Sequence, residues 1–179
     1  MSCFCTGVTV ITTHYGGQDW GMTCNSFNTV SLDPAMVLWS IRTASSSRQA
    51  FACATGYTVN ILCGDQQHLA MQFTRGTQAE RFAGLQLVRQ ADHRPRLVGA
   101  LAWFDCALDR AVPAGDHDIM LGRVLSFGMH ADTAQQPLYY AKHQFGTIPT
   151  NSPRPDSLRP DSLRPDSPRP QDQAVLLAK

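Results

Sequence analysis

Gly7-Val8-Thr9-Val10-Ile11-Thr12-Thr13, then Gly16-Gly17, then Trp20-Gly21-Met22-Thr23-Cys24-Asn25-Ser26-Phe27 decide the fold class. β-Branched side chains pack well on a pleated surface, and here they alternate across two faces, so residues 7 to 13 read as a strand. The paired glycines supply a turn and predict a second strand at about 20 to 27. Working outward, Leu32-Asp33-Pro34 is a turn, because proline presets φ and aspartate can bond its own backbone. The apolar run Met36 to Ile41 that follows has the character of a buried strand. Ser45-Ser46-Ser47 offers N-cap chemistry ahead of a short helix through Phe51, and Tyr57 to Leu62 is another strand. Asp65 is placed to cap a helix whose Leu69 and Phe73 share one face. Later strands are expected near 85 to 88, 98 to 108 and 117 to 127.

These readings predict six or seven strands and two or three short helices, a mainly β, mostly antiparallel domain. A closed or partly closed barrel is the economical way to hide the edges of so many short strands. A dinucleotide-binding doubly wound fold is disfavoured, because no G-x-G-x-x-G joins a strand to a helix and no regular βαβ alternation exists. There is no P-loop either.

Composition bounds the function. The chain has 179 residues, 43% hydrophobic and 16% charged, with a formal net charge of +1, which fits one globular domain. Its lysines and arginines are dispersed, so nothing resembles a footprint for a phosphate backbone and nucleic acid is not an expected partner. No apolar run approaches the roughly 18 to 20 residues of a membrane span, and the N-terminus lacks a basic-then-apolar leader, so a cytoplasmic location is expected. Cys3, Cys5, Cys24, Cys53, Cys63 and Cys106 are read as free thiols, because a disulfide framework belongs to a secreted context. Cys3 and Cys5 have the wrong spacing for zinc, and the six histidines are scattered, so no metal is expected.

The folded domain is expected to span residues 1–150, with 151–179 a disordered tail. From Ser152 a five-residue repeat runs SPRPD, SLRPD, SLRPD, SPRPQ, in which proline removes a backbone donor every few residues and nothing can pack. Seven of the eleven prolines lie from Pro149 onward, which dates the change in character to that point in the chain.

Three segments carry chemistry. Thr23, Cys24, Asn25, Ser26 and Phe27 place small polar side chains beside strand-end amides, a set able to hydrogen-bond the polar edge of a flat ring. Arg42, Thr43, Ala44, Ser45, Ser46, Ser47 and Arg48 combine hydroxyls, the free N–H groups of a helix start and two guanidinium groups, a set able to hold a phosphate. The plainer reading is that the serines only cap the helix. In Gly115-Asp116-His117, a turn ahead of a strand beginning at Asp118, Asp116 can orient the imidazole and leave one ring nitrogen facing outward. An inert turn histidine is the plainer alternative there.

Thr6-Gly7-Val8-Thr9-Val10, Gly21-Met22-Thr23-Cys24-Asn25-Ser26-Phe27, Val30-Ser31-Leu32-Asp33-Pro34, Val59-Asn60-Ile61-Leu62 and Gly115-Asp116-His117, in this order, closely resemble the flavin reductase family. Arg81-Phe82-Ala83-Gly84, Leu121-Gly122-Arg123-Val124 and Pro137-Leu138-Tyr139-Tyr140 followed by Phe145-Gly146 are also in pattern, and the match runs from about residue 4 to residue 147. The resemblance implies an FMN-binding split β-barrel, antiparallel and Greek-key-like. It implies a homodimeric reductase that moves a hydride from NADH or NADPH to FMN or FAD and supplies reduced flavin to a partner monooxygenase. Carried over by position, Thr23 to Phe27 lie along the isoalloxazine and ribityl chain, and Arg42, Thr43, Ala44, Ser46, Ser47 and Arg48 form the phosphate-holding segment. His117 is then the catalytic-site residue beside the nicotinamide, with Tyr140, Phe145 and Gly146 near the pyridine nucleotide. Cys24 is read as a space-filler rather than a redox group. The chemistry needs nicotinamide C4 stacked on flavin N5 at about 3 to 3.5 Å, so the protein supplies orientation and a dry surface and no nucleophile. The alternative is a flavin-binding electron carrier or sensor that does not turn over NADH.

Overall fold

The β-branched segment at the start of the chain forms β1 (Thr6–Gly7) and β2 (Thr9–Tyr15), and the Gly16-Gly17 turn, both residues at positive φ, returns it as β3 (Gln18–Cys24). The structure, a computed structural model, describes residues 3–130 and 135–148; the expected tail lies outside them. Next come β4 (Asn28–Leu32) and β5 (Ala35–Arg42), joined through the Asp33-Pro34 turn, then α1 (Arg48–Cys53) and β6 (Gly56–Ile61). A single 3₁₀ turn (Gly64–Gln66) leads into α2 (Gln67–Gln72), followed by α3 (Gln78–Phe82), β7 (Leu87–Arg89) and β8 (Pro95–Leu97). Two long strands, β9 (Ala102–Ala114) and β10 (His117–Met129), and a last hairpin, β11 (Leu138–Ala141) with β12 (Gln144–Thr147), complete the described residues.

Seven strands make one antiparallel sheet in the order β3-β2-β6-β9-β10-β5-β4; the hairpin pairs β2-β3, β4-β5 and β9-β10 stay adjacent, while β3 is parted from β4 and β5 from β6, as in a Greek key. Among the described residues β3 and β4 do not pair, and the sheet stays open rather than closing into a full barrel. This is the split form of the expected mainly β architecture. β1 leaves the large sheet to pair with β11, placing Thr6 opposite Tyr140, and β12 follows it.

Several local expectations change. The strand expected at about 20 to 27 ends at Cys24, and the one expected at 98 to 108 is β9, which begins at Ala102 and runs on to Ala114. No serine hydroxyl caps α1; Ser47 holds the N-cap position without a side-chain cap bond. Asp65 lies within the 3₁₀ turn, whose N-cap is Cys63, and therefore caps nothing. By contrast Thr77 and Glu80 form a full capping box at the start of α3, the T-x-x-E arrangement that satisfies two orphan N–H groups at once.

The core has two centres. Ile11, Trp39, Ile41, Phe51, Tyr57, Val59, Cys106 and Met120 pack between the large sheet and α1, with Trp39 edge-on to Phe51 and Tyr57 at 5.0 and 5.5 Å between centroids. Val8, Val10, Leu62, Leu69, Phe73, Leu97 and Leu138 form the second under α2. Polar groups also pair across the sheet: Asn60 Nδ2 donates to Val10 O and Thr12 Oγ1, and buried Asp105 accepts from the buried Thr58 hydroxyl and the exposed Ser126 hydroxyl. Each of the buried groups finds a partner, which is what makes their burial tolerable. No helix among the described residues is long and apolar enough to cross a membrane.

Candidate flavin and nicotinamide site

The antiparallel register of β5 and β10 puts Arg42 directly opposite His117 at one end of the sheet. The loop after β5 is fastened to that end, since Thr43 N and Thr43 Oγ1 both donate to Asp116 O, at 2.9 and 3.1 Å. The segment after β3 is hooked to the same strand two residues earlier: Ser26 Oγ accepts from Ser40 N at 2.8 Å, and Cys24 Sγ lies 3.1 Å from Ser26 Oγ. Three stretches far apart in the chain, 24–26, 42–48 and 116–118, therefore share one rim.

Within that rim the predicted residues divide. Asn25, Ser26, Arg42, Thr43, Ala44, Ser46 and Arg48 are exposed. Arg48 Nε donates to Asp118 Oδ2 at 2.5 Å, and Asp118 is buried, so one edge of the guanidinium is fixed while the side chain remains 45% exposed. Hydrogen bonding to Asp118 also raises the Arg48 pKa above its ordinary value. His117 is half-buried with Nδ1 2.8 Å from Asp116 Oδ1, the expected orientation, and that bond lowers the Asp116 carboxyl below its usual range. His117 itself opens β10, as the strand expected near 117 to 127 implies, rather than closing the turn before Asp118.

Other candidates are turned inward. Thr23 Oγ1 donates to Ala70 O at 2.5 Å, so its hydroxyl serves α2 rather than an open site. Ser47 is 1% exposed, and its Oγ accepts from Gln78 Nε2 at 3.0 Å. Phe27 packs against Phe104 at 5.8 Å, which in turn stacks on Phe127. Cys24 is buried and burial raises its thiol pKa, so it fills space rather than reacting. Tyr140, Phe145 and Gly146 lie on the separate β1-β11-β12 sheet, with the Tyr140 and Phe145 rings 5.1 Å apart. Gly146 makes room for its cross-strand neighbour, since a Cβ there would meet the Tyr139 ring at 2.5 Å.

Sequence reasoning missed Asp118 and Gln78. Each acts on a partner distant in the chain, and neither forms a local pattern; the capping box at Thr77 is the one signal that marks the start of α3. A shallow cleft lined by His14, Gly17, Asp19, Arg89 and His93 lies at the opposite end of β3 from Cys24 and belongs to the clasp that Arg89 and His14 make on Asp19. Among the described residues no group of three or more His, Cys, Asp and Glu side chains is arranged to hold a metal ion.

The rim gathers several exposed polar and cationic side chains. Asn25 presents an exposed amide, whereas the Ser26 hydroxyl is engaged with Ser40, accepting from its N–H and donating to its carbonyl. Arg42, which makes no side-chain hydrogen bond among the described residues, and the exposed edge of Arg48 add two cations, a pair able to hold an anion. The chain is 40% identical over 146 residues to FMN reductase (NADH) SmoA of Agrobacterium fabrum, covering 82% of this chain and 81% of that protein. It is 43% identical over 125 residues to the reductase component of a flavin-dependent trigonelline monooxygenase of Acinetobacter baylyi, spanning 69% of this chain and only 40% of that longer relative. Among solved structures, component B of a nitrilotriacetate monooxygenase from Mycobacterium thermoresistibile superposes with a TM-score of 0.79 at 32% identity, over 89% of this chain and 90% of that one. The flavin reductase like domain matches residues 1–149, and with the fold and these relatives in agreement, the chain belongs to the flavin reductase family.

Proposed function

We propose that the chain is an NAD(P)H:flavin oxidoreductase that transfers a hydride from NADH or NADPH to FMN or FAD and passes the reduced flavin to a separate monooxygenase. The observation that carries this reading is the shared rim, where strand-end donors after β3, the cationic loop after β5 and the Asp116–His117 pair meet. When bound, the flavin supplies the hydride-accepting ring. The chain's own residues orient and hold: Asn25 and Ser26 at the ring edge, Arg42, Thr43, Ala44, Ser46 and Arg48 at the phosphate. His117, aligned by Asp116 on one ring nitrogen, presents the other to the nicotinamide carboxamide.

The test is to incubate the protein with NADH or NADPH and each flavin in turn, and to follow the nicotinamide absorbance under air. Flavin-dependent oxidation is the expected result; firm flavin binding without oxidation would instead make the chain a carrier or sensor. His117→Ala is expected to raise KM for the nicotinamide about tenfold and to leave flavin affinity within about twofold, the loss of one positioning contact. Equal losses for both ligands would remove that role from His117.

The proposal includes a homodimer and a cytoplasmic location, the latter open to cell fractionation. β10 pairs with β5 only as far as Arg123, and beyond it Leu125, Phe127 and Met129 are 56%, 64% and 77% exposed. An apolar strip of this kind is costly to leave in water, and a second copy of the chain is the occupant we assign to it. Sedimentation should report a dimer for the native protein and a monomer for Phe127→Asp. A native monomer would overturn the assignment.

A further inference from the structure

Gln78 lies in the first turn of α3, and its buried side-chain amide joins β3 to the loop that carries part of the rim. Its Oε1 accepts from Gly21 N at 2.8 Å, and its Nε2 donates to Ser47 Oγ at 3.0 Å. A backbone N–H can only donate, so the amide has one possible orientation, oxygen toward β3 and nitrogen toward Ser47. Gly21 is held from its other polar atom as well, because Arg81 Nη1 donates to Gly21 O at 2.7 Å. The backbone at Gln78 is in turn fixed by the Thr77–Glu80 capping box beside it. Ser47 stands at the end of the cationic loop next to Arg48, and Gly21 stands on the strand that delivers Cys24, Asn25 and Ser26. A single buried amide thus braces the strand behind the ring segment against the loop that carries the phosphate-holding groups.

We propose that Gln78 is a positioning residue that sets the spacing between these two segments and thereby the preference of the site for a phosphorylated flavin over riboflavin. This rests on the flavin-binding reading above. A ligand that engages two subsites gains from the second contact only when the protein already holds the subsites at the ligand's own span. FMN has a ring and a phosphate joined by a ribityl chain of limited reach, and it needs that spacing. Riboflavin has the ring and the ribityl chain but no phosphate, and it does not.

The experiment measures FMN and riboflavin affinities of the full chain, by quenching of flavin fluorescence, well below the melting temperature of each variant. Gln78→Met keeps the length of the side chain and removes both hydrogen bonds; Ser47→Ala removes only the acceptor hydroxyl. Expected are a rise of about tenfold in the FMN Kd for Gln78→Met and a smaller rise for Ser47→Ala, with the riboflavin Kd moving less than twofold in both. The corresponding fall in kcat/KM for FMN should be carried by KM. A residue that merely supported the fold would shift melting without changing the ratio of the two flavins. Unchanged FMN affinity, or equal weakening of FMN and riboflavin, overturns the proposal. If Gln78→Met does not fold, Ser47→Ala gives the same reading. A wild-type protein that binds neither flavin fails at the earlier step, a result distinct from either.

Discussion

Gly56→Ala is expected to lower the melting temperature by roughly 10 °C or more, or to prevent recovery of folded protein. Gly56 opens β6 opposite Ala107 of β9, in the middle of the large sheet. A Cβ there would lie 2.1 Å from Cys106 O, 2.5 Å from Arg94 Nη1 and 3.1 Å from Ala107 Cα. Two of these atoms belong to the backbone of a central strand and cannot swing aside. The third belongs to a guanidinium that is 7% exposed, donates to Cys106 O at 2.6 Å, and keeps its Nε 2.6 Å from Asp92 Oδ2, off the angle of a hydrogen bond. Displacing it strands a buried cation, which costs about 3–5 kcal/mol, and the overpacking itself adds about 1–3 kcal/mol. Gly7, where an added Cβ meets nothing within 4 Å, is the matched control, and Gly7→Ala should melt with the native protein. A Gly56→Ala melt within about 2 °C of native would mean that the sheet yields where its geometry says it cannot.

The same contrast between local and distant partners decides how much of the molecule is legible in sequence. β2, β5 and β6 are readable because their β-branched and apolar residues fill a buried sheet, which imposes a pattern that needs no knowledge of neighbours. β4 is not, because Asn28–Leu32 forms an edge with mostly exposed residues and so carries no apolar signature. β11 is recognisable only once β1 is beside it, and that pairing joins Thr6 to Tyr140 across nearly the whole described chain. The serines at 45 to 47 fail as caps for a related reason: Ser47 spends its hydroxyl on Gln78, and Ser45 Oγ accepts from Ser47 N instead. In the site, the exposed members of each contiguous segment are legible as chemistry. What orients them is not, since Asp118 and Gln78 reach Arg48 and Ser47 from 70 and 31 positions away.

Arg48→Ala is expected to raise the FMN Kd by about 10- to 100-fold, the range for losing a charge-assisted contact to a phosphate. Riboflavin affinity should change less than threefold, because riboflavin offers this side chain no anion. The expectation follows from how Arg48 is held. Its Nε is committed to Asp118 Oδ2, and Asp118 is buried near the start of β10, so the planar fork is anchored on one edge, and among the described residues its terminal nitrogens have no hydrogen-bond partner. Anchoring removes rotamer freedom before any ligand arrives, so less is lost when one binds. Arg48→Lys retains the charge but cannot bond Asp118 and a phosphate with the same geometry, and should recover only part of the affinity. Asp118→Asn leaves the guanidinium in place with a weaker partner, and should cost FMN less than Arg48→Ala does. Because the contact is exposed, raising the ionic strength from about 0.01 M to 1 M should weaken FMN binding by native protein and leave the Arg48→Ala variant less affected. If both flavins weaken equally in Arg48→Ala, the guanidinium serves only to neutralise Asp118, and the phosphate must be held elsewhere on the rim.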